Sequence, residues 1–536
     1  MTLKTLIPAV CCLLLVSHCG ARRQPAVPGV VRYRLGSDPP SLDPAHAVDT
    51  GSQLLTNQLF DGLVRLDPIS LEVVPALAES IRFDPSGQVY TFKLRRDVKF
   101  HNGEPFNADA VLFAWQRMLA TGTRAERPWI LYPIRGAREY RQGLAESVTG
   151  LRRLGLYSIQ ITLDRPLPYF LKQLAMESAA IVAPRAAAAA GDRFSEGPVG
   201  TGPFRFVSWR HSDLLILESN PDYWDGPVGP ERIEFHIIPD IAVALEKYLS
   251  GEIDIVNELP PGRVAELKRK HPGEFQAWSL LEVRYLGFNL EDPLLGGNRD
   301  LRLALNHAVN KRAIADILEE GVPRPADGVL PPGLLPGPVA AIPYPFDPVR
   351  AESLLAVAGY PGGEGLPELE LWCPDNPNER RIWQFVQAGF QQVGVKVRLR
   401  TLEWAAYLAR VRAGRVQMFR GSWVADYPDP HNFLHPLLHS SQVGASGNYA
   451  RFRDSEFDTL IDRAAGESRR DRRDSLYRRA EQLAVSRCPW IFLFYGGAAV
   501  MVRPEWSGYT PSPLGTWAAP LELMAGPHPL SPGTGE

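Results

Sequence analysis

Along most of this chain the hydrophobic period switches between two and about 3.6 residues, with no internal repeat at roughly 20–50 residues. That alternation calls for strands and helices packed in layers, and the missing repeat removes solenoids and propellers. The stretch 88–95 alternates polar and apolar after the turn Pro85-Ser86-Gly87 and predicts a half-buried strand. Asn107 then stands where its side chain caps a helix over 111–118. Further strands are expected at 157–163, 214–218, 232–239 and 395–400, and helices at 169–174, 300–309, 351–358 and 383–393. The charged run 467–479 carries a single apolar stripe through Leu476, Tyr477, Ala480 and Leu483, so it reads as a solvated helix. The fold class is mixed α/β.

A length of 536 residues predicts about three lobes at roughly 100–200 residues each. Lys+Arg 58 against Asp+Glu 60 gives a net charge of −2, which excludes nucleic acid or an anionic membrane surface as the main partner. The apolar run from Leu6 to Val16, behind Lys4, is too short for the roughly 20 residues a membrane span needs and reads as an export signal within residues 1–21. Its end, Leu15-Val-Ser-His-Cys19, is similar to a bacterial lipobox, with cleavage before Cys19 and lipidation of that Cys. His18 stands where a smaller residue is usual, and cleavage after Ala21 is the competing reading. In the body, Cys373 and Cys488 either form one disulfide or remain two buried thiols; no CxxC pair suggests a zinc knuckle.

A series of short segments follows in fixed order. These are Ser41-Leu-Asp-Pro44, Leu59-Phe-Asp-Gly-Leu63, Pro75-Ala-Leu-Ala-Glu-Ser80, Phe100-His-Asn-Gly-Glu-Pro-Phe106 and Gly200-Thr-Gly-Pro-Phe204. Then come Asn220-Pro-Asp-Tyr-Trp224, Ser250-Gly-Glu-Ile-Asp254, Tyr285-Leu-Gly-Phe-Asn289 and Gly421-Ser-Trp-Val-Ala-Asp-Tyr-Pro-Asp-Pro430. Over roughly residues 30–510 this order resembles the extracytoplasmic solute-binding proteins of peptide ABC importers, the oligopeptide- and dipeptide-binding family. The resemblance implies a two-lobed periplasmic-binding-protein fold with an additional inserted lobe and hinge closure over ligand. On that analogy residues 27–50, 200–282 and 488–525 make the first main lobe, 51–199 the additional lobe and 283–487 the second main lobe.

The resemblance also assigns roles in the cleft. Asp426 stands where peptide-binding members pair an Asp with the ligand's amino terminus, a position that nickel-binding members lack. A buried carboxylate is a suitable counter-ion for an ammonium taken out of water. Trp423, Val424 and Ala425 are expected along the ligand, pairing with its backbone. Arg420 matches a position used for the ligand carboxylate, and an internal salt bridge is its other reading. Val48, Asp49 and Thr50 align with the first lobe's contact strand. The implied protein binds short peptides, hands them to ABC permease subunits, catalyses no reaction, needs no cofactor and works as a monomer in the periplasm or cell envelope, held to the membrane by its lipid. Two rivals stand beside this reading. His431, His435 and His439 at i, i+4, i+8 suggest a metal or haem site, although Pro436 is expected to interrupt their helix and leave the histidines facing solvent. Asp426 and Asp429 suggest a hydrolase pair, but with no HExxH or GxSxG beside them.

Overall fold

A computed structural model of the chain describes residues 24–337, 343–444 and 447–526. The signal segment and Cys19 lie outside the described residues. An eleven-stranded sheet runs through the molecule. Its strand order is Val397–Leu402, Leu369–Pro374, Met418–Val424, Phe275–Phe288, Trp490–Val502, Ile255–Val256, Val30–Leu35, Arg232–Ile237, Leu214–Ser219 and Phe204–Arg210, with Arg324–Pro325 also pairing to Trp490–Val502. Parallel and antiparallel pairs mix, as in an α/β fold.

The strands Phe275–Phe288 and Trp490–Val502 serve two apolar cores. Trp490 to Tyr495, with Leu281 to Phe288, pack in a core drawn from the second half of the chain. Val500 and Val502 pack instead with Val31, Tyr33 and Phe235. Where they pass from one core to the other the ladder breaks: Ser279 pairs Gly497 and Val283 pairs Tyr495, leaving Leu280 to Glu282 opposite Gly496. A Cβ on Gly496 would stand 2.8 Å from that of Glu282, so this bend needs glycine.

Residues 51–199 carry a four-stranded antiparallel sheet of their own, in spatial order Ala78–Phe83, Val89–Leu94, Ser158–Thr162 and Leu151–Gly155, the last two a hairpin whose first strand lies at the edge. Its side chains Phe92, Ile159 and Ile161 are continuous with the first core rather than forming a separate one. Asn107 caps the helix Ala108–Leu119 by accepting from Asp109 and Ala110 N–H, and Trp115 and Val111 fill the helix's inner face. The charged run forms the helix Arg470–Arg487, with Leu476, Tyr477 and Ala480 inward. Cys373 and Cys488 are both buried and free, which decides for two thiols. Burial pushes each thiol up to about 11. No described helix is long and apolar enough to cross a membrane.

Candidate functional site

The strand Met418–Val424 pairs antiparallel with Phe275–Phe288 and reaches the end of its ladder at Val424, opposite Glu282. One more bond, Ala425 N–H to Leu281 O, holds the chain before it turns through Tyr427-Pro-Asp-Pro430 into the helix His431–Leu438. Asp426 sits on that turn. Asn432 fixes it: its Oδ1 accepts from Asp426 N–H at 2.8 Å and from Trp423 Nε1–H at 3.3 Å, and its amide donates to Asp426 Oδ2 at 3.3 Å.

Arg127 approaches from the other wall. Its Nη2 lies 3.5 Å from Asp426 Oδ1 and donates to Val48 O at 3.4 Å, while Nη1 donates to Glu177 Oε1 at 2.8 Å. Gln53 donates to the same Glu177 oxygen at 2.7 Å. Burial raises the pKa of Glu177, with Arg127 and Gln53 opposing and Asp426 adding to the rise. Burial likewise raises Asp426, against Arg127 and Asn432. Two carboxylates thus share one guanidinium, and the cluster is one positive charge short of neutrality.

Asp426 is a common wall of two cavities. The smaller, about 140 Å³, lies against Asn57, Asp61, Arg65 and Trp517. The larger, about 810 Å³, is lined by Arg127, Trp129, Tyr132, Trp423, Tyr427 and His435 among others. A third cavity of about 390 Å³ has Thr50, Val424 and Trp517 on its walls, beside Gly497 of the crossing strand. The structure therefore brings Asp426 and Trp423 to one cavity and Val424 and Thr50 to another. Ala425 is buried. Val48 is exposed and offers its carbonyl to Arg127. Asp49 caps the helix Thr50–Leu59, accepting from Ser52 N–H at 2.9 Å.

Arg420 takes the second of its two readings. Its Nε and Nη2 donate to Glu379 at 3.0 and 2.7 Å and its Nη1 to Ser422 Oγ at 2.6 Å, and it lines none of these cavities. Burial raises the Glu379 pKa, but Arg420 and Arg284 outweigh it and hold the carboxyl below its usual range. Three residues the sequence did not single out, Arg127, Glu177 and Asn432, complete the cluster. Of these, Asn432 alone had a local signal, six residues beyond Asp426 at the start of an apolar helix.

Both rival constellations change character. Asp429 is wholly buried, bound by Arg473 Nη2 at 2.5 Å with Lys172 at 3.8 Å, and so is no partner for Asp426 in hydrolysis. Pro436 does not interrupt the helix, which runs through it to Leu438. The histidines do not face solvent: His431 and His439 are buried and His435 is partly so. Their rings stack at 4.7 and 4.9 Å, and His431 stacks on Tyr169 at 4.2 Å. The Tyr169 and Tyr427 hydroxyls lie 3.1 and 3.0 Å from the two nitrogens of His431. Parallel rings direct their nitrogens along separate lines, and among the described residues no group of three or more His, Cys, Asp or Glu is arranged to hold a metal ion.

The sequence model of the bacterial extracellular solute-binding proteins, family 5 (middle), matches residues 72–445. Heme-binding protein A of Haemophilus influenzae is 32% identical over 509 residues, covering 90% of each chain. The dipeptide-binding protein of Escherichia coli is 29% identical over 476 residues, 85% of this chain and 87% of that one. Among solved structures, the ABC transporter-associated periplasmic binding protein DppA of Helicobacter pylori, in complex with the peptide STSA, superposes with a TM-score of 0.75 at 28% identity, over 93% of this chain and 98% of that one.

Proposed function

The chain belongs to the bacterial extracellular solute-binding proteins of family 5, and from that premise we propose that it is the extracytoplasmic receptor of an ABC importer for short peptides. It is a two-lobed α/β binding protein, and its relatives are binding proteins of transporters. The observation that carries the peptide reading is the cluster around Asp426. A peptide's ammonium supplies the positive charge that Asp426 and Glu177 together lack beside Arg127. Asp426 is the amino anchor, and the strand edge at half-buried Trp423 and exposed Val424 runs beside the ligand's backbone. Val48 and Asp49 act through their hold on Arg127 and on the helix carrying Gln53, and Thr50 lines the cleft.

Residues 27–50, 200–282 and 488–525 form the first main lobe, 51–199 the additional lobe and 283–487 the second main lobe. The crossings at Ser279–Val283 and Tyr495–Gly497 act as the hinge. We assign the protein to the periplasm or cell envelope, anchored through a lipid on Cys19, and expect it to act as a monomer that presents its closed form to a permease and catalyses no reaction.

Two observations favour a second reading, haem: a relative is named for it, and the larger cavity is lined by aromatic rings. Against it, both nitrogens of His431 face tyrosine hydroxyls and Asp426 has no role. Native mass spectrometry of the purified soluble chain separates the two. Release of peptides two to five residues long is the expected result; a haem mass without peptides overturns the reading.

A further inference from the structure

The amine-bearing carbon of a peptide held at Asp426 begins its side chain within a few bonds of that carboxylate. Two cavities adjoin Asp426, and the smaller, at about 140 Å³, holds at most a single ring and has the charged side chains Asp61, Arg65 and Glu522 on its walls. The larger, at about 810 Å³, has room for the largest natural side chain. Its walls are unusual in two respects. Trp129, Tyr132, Tyr169, Trp423, Tyr427 and the neutral rings of His431 and His435 surround it. Its charges are Arg127, Arg138 and Arg165 against Asp164 and Asp426. With Asp426 paired to the ligand's amine and Arg127 to Glu177, two guanidiniums, Arg138 and Arg165, face the one carboxylate of Asp164, which disfavours a Lys or Arg side chain. Arg138 already lies 4.6 Å from the centre of the Tyr132 ring, and guanidiniums and aromatic rings both stack on a further ring.

We propose that the cavity between Trp129, Tyr132, Trp423 and His435 takes the first side chain of the bound peptide, and that the chain selects short peptides with Phe, Tyr or Trp at the amino end. This rests on the reading of Asp426 as the amino anchor. Lys and Arg at that position are excluded by charge, while Gly and Ala leave the aromatic walls uncovered.

Calorimetric titration of the soluble chain with Phe-Ala, Ala-Phe, Ala-Ala and Lys-Ala tests it. Phe-Ala is expected to bind roughly tenfold or more tighter than its isomer Ala-Phe, the scale set by burying one aromatic side chain. Lys-Ala is expected to bind no tighter than Ala-Ala. Trp129→Ala and, independently, Tyr132→Ala are expected to bring the Phe-Ala to Ala-Ala affinity ratio toward one. Equal binding of Phe-Ala and Ala-Phe overturns the proposal and leaves the Asp426 anchor standing. Binding of N-acetyl-Ala-Ala as tight as Ala-Ala overturns the anchor itself. Haemin bound in the absence of any dipeptide binding, and weakened by Trp129→Ala, overturns both in favour of a planar tetrapyrrole.

Discussion

Asp426 is held in conditions that oppose its own charge: burial raises its pKa, and one guanidinium at 3.5 Å with one amide opposes that rise. A bound ammonium favours the ionised form, so ligand and proton compete. Affinity for free-amine peptides is expected to fall as pH drops through that raised pKa, while N-acetylated peptides show no such slope; calorimetry across pH reads the difference. The sign for folding is opposite. A carboxyl whose folded pKa is raised contributes stability below its unfolded value and loses it as pH rises. Asp426→Asn is expected to weaken free-amine peptides by about 2–4 kcal/mol. An equal loss for acetylated peptides would sink the anchor. Arg420→Met should cost about 3 kcal/mol of stability in urea unfolding, since Glu379 would keep only Arg284 at 3.2 Å. A change instead in the relative affinities of a peptide and its C-terminal amide would return Arg420 to the ligand. Asp426 was legible because its motif is contiguous. Arg127 and Glu177 were not, because they meet it from about 250–300 residues away, with no local period or spacing to mark them.

The helix His431–Leu438 shows what short elements withhold from sequence. Pro436 removes one backbone donor, yet Phe433, Leu434, Leu437 and Leu438 are all buried and hold the turn together. Burial, with His439 beside it, pushes His435 down to about 4. It is therefore expected to stay neutral through pH 5–8, with an unmoving imidazole resonance in NMR titration. A depressed imidazole contributes stability above its unfolded pKa and loses it as pH falls from about 6.5 toward 4, here by up to about 3 kcal/mol. A resonance titrating near 6.5 would contradict this packing. Longer periodic segments were read well. The expected strand at 214–218 is Leu214–Ser219, and the expected helix at 300–309 is Arg299–His307. Pro436 misled because the penalty of one proline is local, whereas the apolar contacts that outweigh it come from Phe457 and other helices of the same core.

At the scale of the molecule, two strands join the cores, and the walls touch where Lys172 donates to Pro428 O at 2.7 Å and Tyr169 stacks on His431. A ligand that touches both walls favours the arrangement in which they meet. Small-angle scattering is expected to show a smaller radius of gyration on adding a dipeptide to the unliganded chain, and less change for Asp426→Asn. An unchanged radius in the parent chain would remove the hinge. The single sheet shared by both cores was not legible in sequence, because strand order depends on pairings hundreds of residues apart. That sharing has a consequence for how the protein is made. The core that opens with Val31 and Tyr33 also requires Val500, Val502, Leu521 and Met524, whereas the other is assembled from Leu281 to Leu514. A chain emerging from its amino end starts one half first and finishes it last. A copy truncated after residue 495 keeps every residue of the cluster around Asp426 but leaves that half unsealed, its apolar interior open to proteases. The carboxyl end thus serves as the molecule's own certificate of completion.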